Sequence, residues 1–325
     1  MKLKKHAWNF WDDGITQGFL RDFMMCREQT RLKYVMGWRS IFPEMPLEFG
    51  NVCHHICEIA YRQKKVPTEQ MIDHWLKAYR ETWKVWTSRS TSDFENRELC
   101  IGLAAVIMKE YFFHWKKEDF GKRTKWIFTE DLFRVPYVYR DGKRTWIRGK
   151  IDGVYRNSEN EDWLFDTKTK GHIDEDVLVS ILPFDLQMLT YLWALKQMKF
   201  KPAGCRYNII RRPQPRNIQD LHKKLKDLTK EVKKRPQHYF VRINMPITMG
   251  EIQEFEDRQL NPLMLEVRYW VERGCSGHPL NDQALFWGFK KSPYFNLITT
   301  GDTTHLRKAF APFEELADNH ERTSI

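Results

Sequence analysis

Apolar residues recur every three or four positions through most of the first 120 residues. That spacing predicts helices over 17–33, 46–62, 68–87 and 92–117. Pro67 followed by Thr68 supplies a helix start. From Thr124 the period drops toward two. Residues 125–139, 145–156 and 162–170 read as three antiparallel strands, separated by the polar turns 140–143 and 157–161. Helical spacing returns over 178–198. Two more strands are predicted at 204–212 and 238–247, with a basic helix over 217–234 between them. A helix over 250–273 follows, and the last dozen residues read as a loose tail. No internal repeat is present. The order describes an α+β chain with an α/β/α-like core, a mixed β-sheet flanked by helices. It divides into a large helical N-terminal region over 1–120, a core over 121–310, and a flexible tail over 311–325.

The chemistry concentrates in TWIRGKIDGVYRNSENEDWLFDTK, residues 145–168. Asp152 closes one strand. After the turn, the next strand carries Asp166 and Lys168, which share a face at i and i+2, while Thr167 points the other way. Pairing of the two strands as a hairpin brings Asp152 beside Asp166. Two carboxylates and an ammonium at one point suit a divalent cation and a water poised for phosphodiester hydrolysis. The pattern Asp/Glu-x-Lys occurs three times in the chain. Asp141 to Lys143 lies in a turn, and Glu231 to Lys233 lies in a helix, where i and i+2 diverge. Only Asp166 to Lys168 follows an apolar strand with a second acid upstream. In isolation that pair also suits an ordinary cross-strand salt bridge.

Other positions sharpen the reading. Gln187 and Tyr191 stand at i, i+4 in an otherwise apolar helix and can face the same sheet. His54 and Glu58 share a face of an earlier helix, and Cys53 and Cys57 share the neighbouring one. One short helix cannot surround a zinc ion, so CHHIC is not read as a structural zinc site. Net charge is +11, and the stretch from Cys205 to Arg242 holds +9 of it, with 12 Lys+Arg against 3 Asp+Glu. Lys223, Lys224, Lys226, Lys230, Lys233 and Lys234 form the densest part, a candidate surface for tracking phosphates. A solvated helix face has the same composition. Six scattered Cys with no C-x-x-C pair suit reduced thiols. No apolar run is long enough to span a bilayer, and the basic N-terminus lacks the apolar stretch of a signal peptide. A cytoplasmic protein is expected, with no membrane partner.

Four motifs stand in order: G-x-x-x-H (Gly50 to His54), G-x-x-D (Gly149 to Asp152), D-x-K (Asp166 to Lys168) and Q-x-x-x-Y (Gln187 to Tyr191). Together they resemble the PD-(D/E)xK nuclease superfamily, and specifically its RecB-like exonuclease branch of phage type. The resemblance implies a restriction-endonuclease core and a metal-dependent deoxyribonuclease working in recombination, repair or phage DNA processing. It implies Mg²⁺ or Mn²⁺ held by His54, Asp152, Asp166 and the carbonyl of Thr167. It makes Asp152, Asp166, Lys168, Gln187 and Tyr191 the catalytic set. The implied partners are linear or single-stranded DNA ends and recombination or replication proteins, in a bacterial or phage-infected cell. A structure-selective endonuclease, or a non-catalytic DNA-binding protein on the same scaffold, are the alternatives. Many relatives carry a four-cysteine iron–sulfur cluster. Here Cys26 matches the first cysteine, but SPYFNLI has Ser292 and Ile298 where cysteines would fall, and only Cys275 is nearby. Two thiolates cannot hold such a cluster, so none is expected.

Overall fold

The computed structural model describes residues 8–41, 45–82, 91–213, 221–276, 281–287, 290–309, 311–313 and 316. Strand β1 (Ile15–Thr16) leads into α1 (Gln17–Met25) and α2 (Arg27–Thr30), whose end widens into a π turn over Arg31–Val35, and then β2 (Trp38–Ser40). Helices α3 (Met45–Gln63), α4 (Glu69–Thr82) and α5 (Thr91–Asp119) follow. Next come β3 (Lys125–Val138), β4 (Arg144–Arg156) and β5 (Asp162–Lys170). After α6 (Glu175–Ile181), α7 (Leu186–Gln197), β6 (Pro202–Arg211), α8 (Leu221–Lys234) and β7 (Phe240–Pro246) come α9 (Met249–Phe255) and α10 (Asn261–Glu272). The last described elements are α11 (Asp282–Leu285), β8 (Phe286–Trp287), β9 (Lys290–Lys291), α12 (Phe295–Thr300) and β10 (Leu306–Lys308).

The main sheet is mixed. β3, β4 and β5 run antiparallel in turn, β6 joins β5 in parallel, β7 returns antiparallel, and β1 lies parallel to β4. Alternating side chains feed two cores. One face of the sheet packs α1, α7, α9 and α10 around Phe19, Leu192, Trp193 and Trp270. The other packs α3, α4 and α5 around Tyr61, Tyr111, Trp126 and Phe165. The arrangement is α/β/α, as a restriction-endonuclease core requires. The helical region over 1–120 therefore supplies layers on both faces.

Three expected helices are broken. The stretch 17–33 is interrupted at Cys26, whose extended backbone (φ −161°, ψ 110°) separates α1 from α2. The stretch 178–198 splits because Pro183 lies in a tight turn over Leu182–Phe184 and Asp185 caps α7, its carboxylate accepting from the Met188 N–H at 2.8 Å. The stretch 250–273 is interrupted by a π turn over Glu256–Leu260 just before Pro262. Part of the expected helix over 68–87 and the start of the basic helix lie outside the described residues. In the expected tail, Phe313 and Leu316 are buried in the first core, and the rest beyond them lies outside the described residues. No single helix among the described residues is long and apolar enough to cross a membrane.

Candidate active site

The site lies where the sheet is interrupted. β3 pairs with the full length of β4 along one side. The other side of β4 is shared: β1 takes Ile147 and Arg148, and β5 takes Gly153 to Arg156. Gly149, Lys150, Ile151 and Asp152 have no strand partner on that side among the described residues. β5 diverges from β4 at this point, so the Thr167 N–H, which a continuing ladder would have used, donates to Asp152 Oδ2 at 2.7 Å. The hairpin register places Asp152 one step beyond the last pair, Gly153 with Phe165, and so beside Asp166, as the sequence predicts.

Helices reach the gap from both faces. From one side, α3 brings His54, whose Nδ1 lies 3.5 Å from Asp152 Oδ2 and 3.7 Å from Glu130 Oε1. The close approach of α3 depends on Gly50: a Cβ there would meet Thr169 Oγ1 at 3.0 Å. His55 turns away and packs on Tyr79 of α4, with ring centroids 5.0 Å apart. From the other side, α7 brings Gln187, whose Nε2 donates to Asp166 Oδ1 at 3.4 Å and to Tyr191 Oη at 3.3 Å. Gly149 makes room for this helix, since a Cβ there would meet Phe133 Cε1 at 2.9 Å and Tyr191 Cε1 at 3.1 Å. The glycines of G-x-x-x-H and G-x-x-D thus serve the packing of the helices that carry the chemistry.

Asp166 is buried and Lys168 Nζ donates to its Oδ1 at 2.9 Å. Burial raises the Asp166 carboxyl to about 6, against the opposing pull of Lys168. Asp152 is likewise raised by burial, with His54 opposing. Burial acts to lower Lys168, but Asp166 and Asp152 outweigh it and hold the ammonium above its ordinary value. His54 behaves similarly: burial lowers it, Asp152 and Glu130 raise it, and the balance stands at about 9. Behind β5, Thr167 Oγ1 accepts from Asn208 Nδ2 at 3.1 Å, and Arg242 Nε donates to Asn208 Oδ1 at 3.1 Å. Arg242 is in turn fixed by buried Asp119 at 2.7 Å.

Glu130 is the residue that sequence reasoning missed. It is buried, and its backbone takes φ +51°, uncommon for a non-glycine residue. The pairs Val138–Arg144, Asp131–Ile151 and Thr129–Gly153 set one register in which Glu130 falls opposite Asp152. Counting back from the turn at 140–143 would have found it. His54, Glu130 and Asp152 offer ligand atoms within 4.8 Å of one another. That donor set, two carboxylates and an imidazole, fits a hard divalent cation. Asp166 Oδ2 is also buried and has Lys168 Nζ 2.7 Å away, so both carboxylate oxygens face the same ammonium. Asp166 and Thr167 adjoin the triad without belonging to that tight cluster.

The basic helix packs elsewhere. α8 rests on α5, with Leu225 over Gly102. Lys226 and Lys234 are exposed, and Lys230 is 82% exposed near Asp227. Lys233 lies 3.5 Å from Glu110 of α5, Lys224 is half-buried, and the Lys223 side chain lies outside the described residues. Cys26 and Cys275 are both buried, and Ser292 Oγ donates to Gln29 Oε1 at 3.1 Å.

The family model of the PD-(D/E)XK nuclease superfamily matches residues 15–260, from β1 to the π turn before α10. No curated protein matches the chain. The solved structure of SSO0001 is similar over 70% of this chain and 79% of that one, at 14% sequence identity and a TM-score of 0.27, a likeness too distant to carry an argument.

Proposed function

The chain belongs to the PD-(D/E)XK nuclease superfamily and is a metal-dependent nuclease, and from that premise we propose that it is an exonuclease degrading DNA from its ends with Mg²⁺ or Mn²⁺. The observation that carries the reading is the interrupted sheet, where Asp152, Asp166, Lys168, His54 and Gln187 converge on one gap. In this reading His54, Asp152, Asp166 and the Thr167 carbonyl hold the ion, with Glu130 beside His54. A bound divalent ion supplies Lewis-acid polarisation of the scissile phosphate and a more acidic water.

The protein's own groups do the rest. Lys168 is ion-paired with Asp166, and in the ion-free site Asp166 and Asp152 hold its ammonium above the ordinary value. Placed against the attacked phosphate, it orients the incoming water and stabilises charge that develops there. Asp152 is oriented by the Thr167 N–H, and Glu130 faces the His54 Nδ1 edge. Gln187 supplies an amide donor, and Tyr191 a hydroxyl, for phosphate oxygens without reading base identity. The exposed lysines of α8 track phosphates further along the strand, and the process served is recombination, repair or phage DNA processing.

The test is a timed digest of end-labelled linear DNA, closed circular DNA and RNA with Mg²⁺ or Mn²⁺. Linear DNA should shorten from its ends while closed circles survive. Rapid nicking of circles that is absent in Asp166→Asn would replace this reading with an endonuclease, and a preference for RNA would overturn the substrate.

A further inference from the structure

Glu58, Glu130, Asp152 and Asp166 line or adjoin the gap, and Asp185, the cap of α7, acts on Asp166 and Lys168 from the α7 side. Their counter-charges are distributed unevenly. Asp166 has Lys168 Nζ at 2.7 Å. Glu58 has Arg62 Nη1 at 3.0 Å and Lys150 Nζ at 3.4 Å. Glu130 has Lys150 Nζ at 2.5 Å. Asp152 alone of the four has no lysine or arginine nitrogen within ion-pair distance among the described residues: its close partners are the Thr167 N–H and His54, and Lys168 and Lys150 act on it from further away. Lys150 reaches this position because it stands at i−2 from Asp152, on the same face of β4, in the stretch where β4 has no partner on that side among the described residues. Its side chain is only 22% exposed and lies between two acids that are 11% and 3% exposed.

We propose that the Lys150 ammonium is a built-in second cation, occupying the Glu58–Glu130 side of the gap and limiting the centre to one divalent ion. The inference rests on the metal site proposed above. Two-metal phosphodiesterases need carboxylates free to bridge or flank both ions, about 3.5–4 Å apart. Here Glu130 could serve as such a ligand, but its Oε2 is committed to Lys150 and only Oε1 faces His54. A second divalent ion beside Glu130 and Glu58 would have to displace a tethered ammonium that cannot leave. The position on the His54–Asp152 side has no lysine or arginine tethered to it, so it is the one a soluble ion takes. The positive φ at Glu130 supports the same assignment, because the backbone is held in an uncommon conformation that presents this carboxylate to both partners.

The experiment counts bound Mn²⁺ by electron paramagnetic resonance of the free ion, with calorimetric stoichiometry as a second measure. Lys150→Met keeps an unbranched apolar stem and removes the charge. Lys150→Gln provides the same test should the first variant fail to fold, and Lys150→Arg is the charge-preserving control. The parent and Lys150→Arg should each bind one equivalent, and a folded Lys150→Met or Lys150→Gln should bind two. Two equivalents in the parent would overturn the proposal while leaving the metal site intact. One equivalent in the folded neutral variants would show that Lys150 is not what excludes the second ion. No bound Mn²⁺ in the parent would overturn the metal-site reading itself, and this proposal with it.

Discussion

Lowering the pH should weaken divalent-ion binding, and His54 sets the window. Burial alone would lower its imidazole, but Asp152 at 3.5 Å and Glu130 at 3.7 Å keep it protonated up to about 9. In the metal-free protein a proton therefore sits where a ligand lone pair is needed, and an arriving ion must displace it. From about pH 7 to about 9 the apparent affinity should climb roughly tenfold per unit, leaving the neutral-pH value roughly a hundredfold below its plateau. Asp166, raised by burial to about 6, adds a second competing proton on the acid side, so the slope steepens there. Calorimetry in two buffers of different ionisation heat should count about one proton released per ion near neutral pH. His54→Asn keeps a polar side chain that does not titrate and should flatten the slope. An affinity independent of pH across this window, or an unchanged slope in His54→Asn, would refute the reasoning. The same shifts fix how the metal-free fold responds to pH. Both folded-state values lie above the groups' ordinary ones, so stability falls as pH rises, from 6.5 to about 9 for His54 and from 3.8 to about 6 for Asp166.

Asp166→Asn should abolish cleavage with melting unchanged or raised, because it removes a buried charge, whereas Lys168→Ala should retain Mn²⁺ and slow hydrolysis roughly a hundredfold or more; full activity in Asp166→Asn would remove it from the site. Gly149→Ala forces a methyl against Phe133 and Tyr191, should cost about 1–3 kcal/mol in urea unfolding, and should lower activity more than metal binding. A parent-like midpoint and rate would mean the helix is not seated as described. Asp119→Ala strands the buried Arg242 guanidinium and should cost about 3–5 kcal/mol, measured by the same unfolding; a cost under about 1 kcal/mol would show that the network is solvated. Neutralising Lys226, Lys230 and Lys234 together should flatten the salt dependence of DNA binding by up to roughly one log–log unit per lost phosphate contact, and an unchanged slope would make α8 a solvated face.

Much of this was legible in the chain because period and turn chemistry are local. β5 was predicted at its observed bounds, since an apolar run stands between a polar turn and a basic end. The Asp152–Asp166 juxtaposition follows from one hairpin register; the helix period says only that His54 and His55 cannot both face one ion, and the choice of His54 rests on its spacing after Gly50 in the family motif. Three things were hidden. The gap beside Gly149–Asp152 exists because β1, a two-residue strand far upstream, takes the place β5 vacates, and nothing local announces that pairing. Glu130 was passed over because a helix or strand period marks faces, not which acid of a long strand meets a distant helix. The Arg242–Asn208–Thr167 chain joins three strands through buried polar groups, and each looks ordinary in sequence.

The first core also has a consequence for the order of assembly. It joins Phe10, Ile15 and Phe19 to Trp270, Phe313 and Leu316, and β2 pairs with β10 across a similar span. All the groups proposed for chemistry lie between residues 54 and 191, yet α7, which carries Gln187, is backed by α9, and α1 packs on α7. A growing chain thus displays its reactive side chains well before it possesses the layer that aligns them. Contacts of such long sequence separation form slowly. Synthesis and catalytic competence are thereby separated in time: an incomplete chain carries the proposed ligands but not the packed frame that would make them a nuclease.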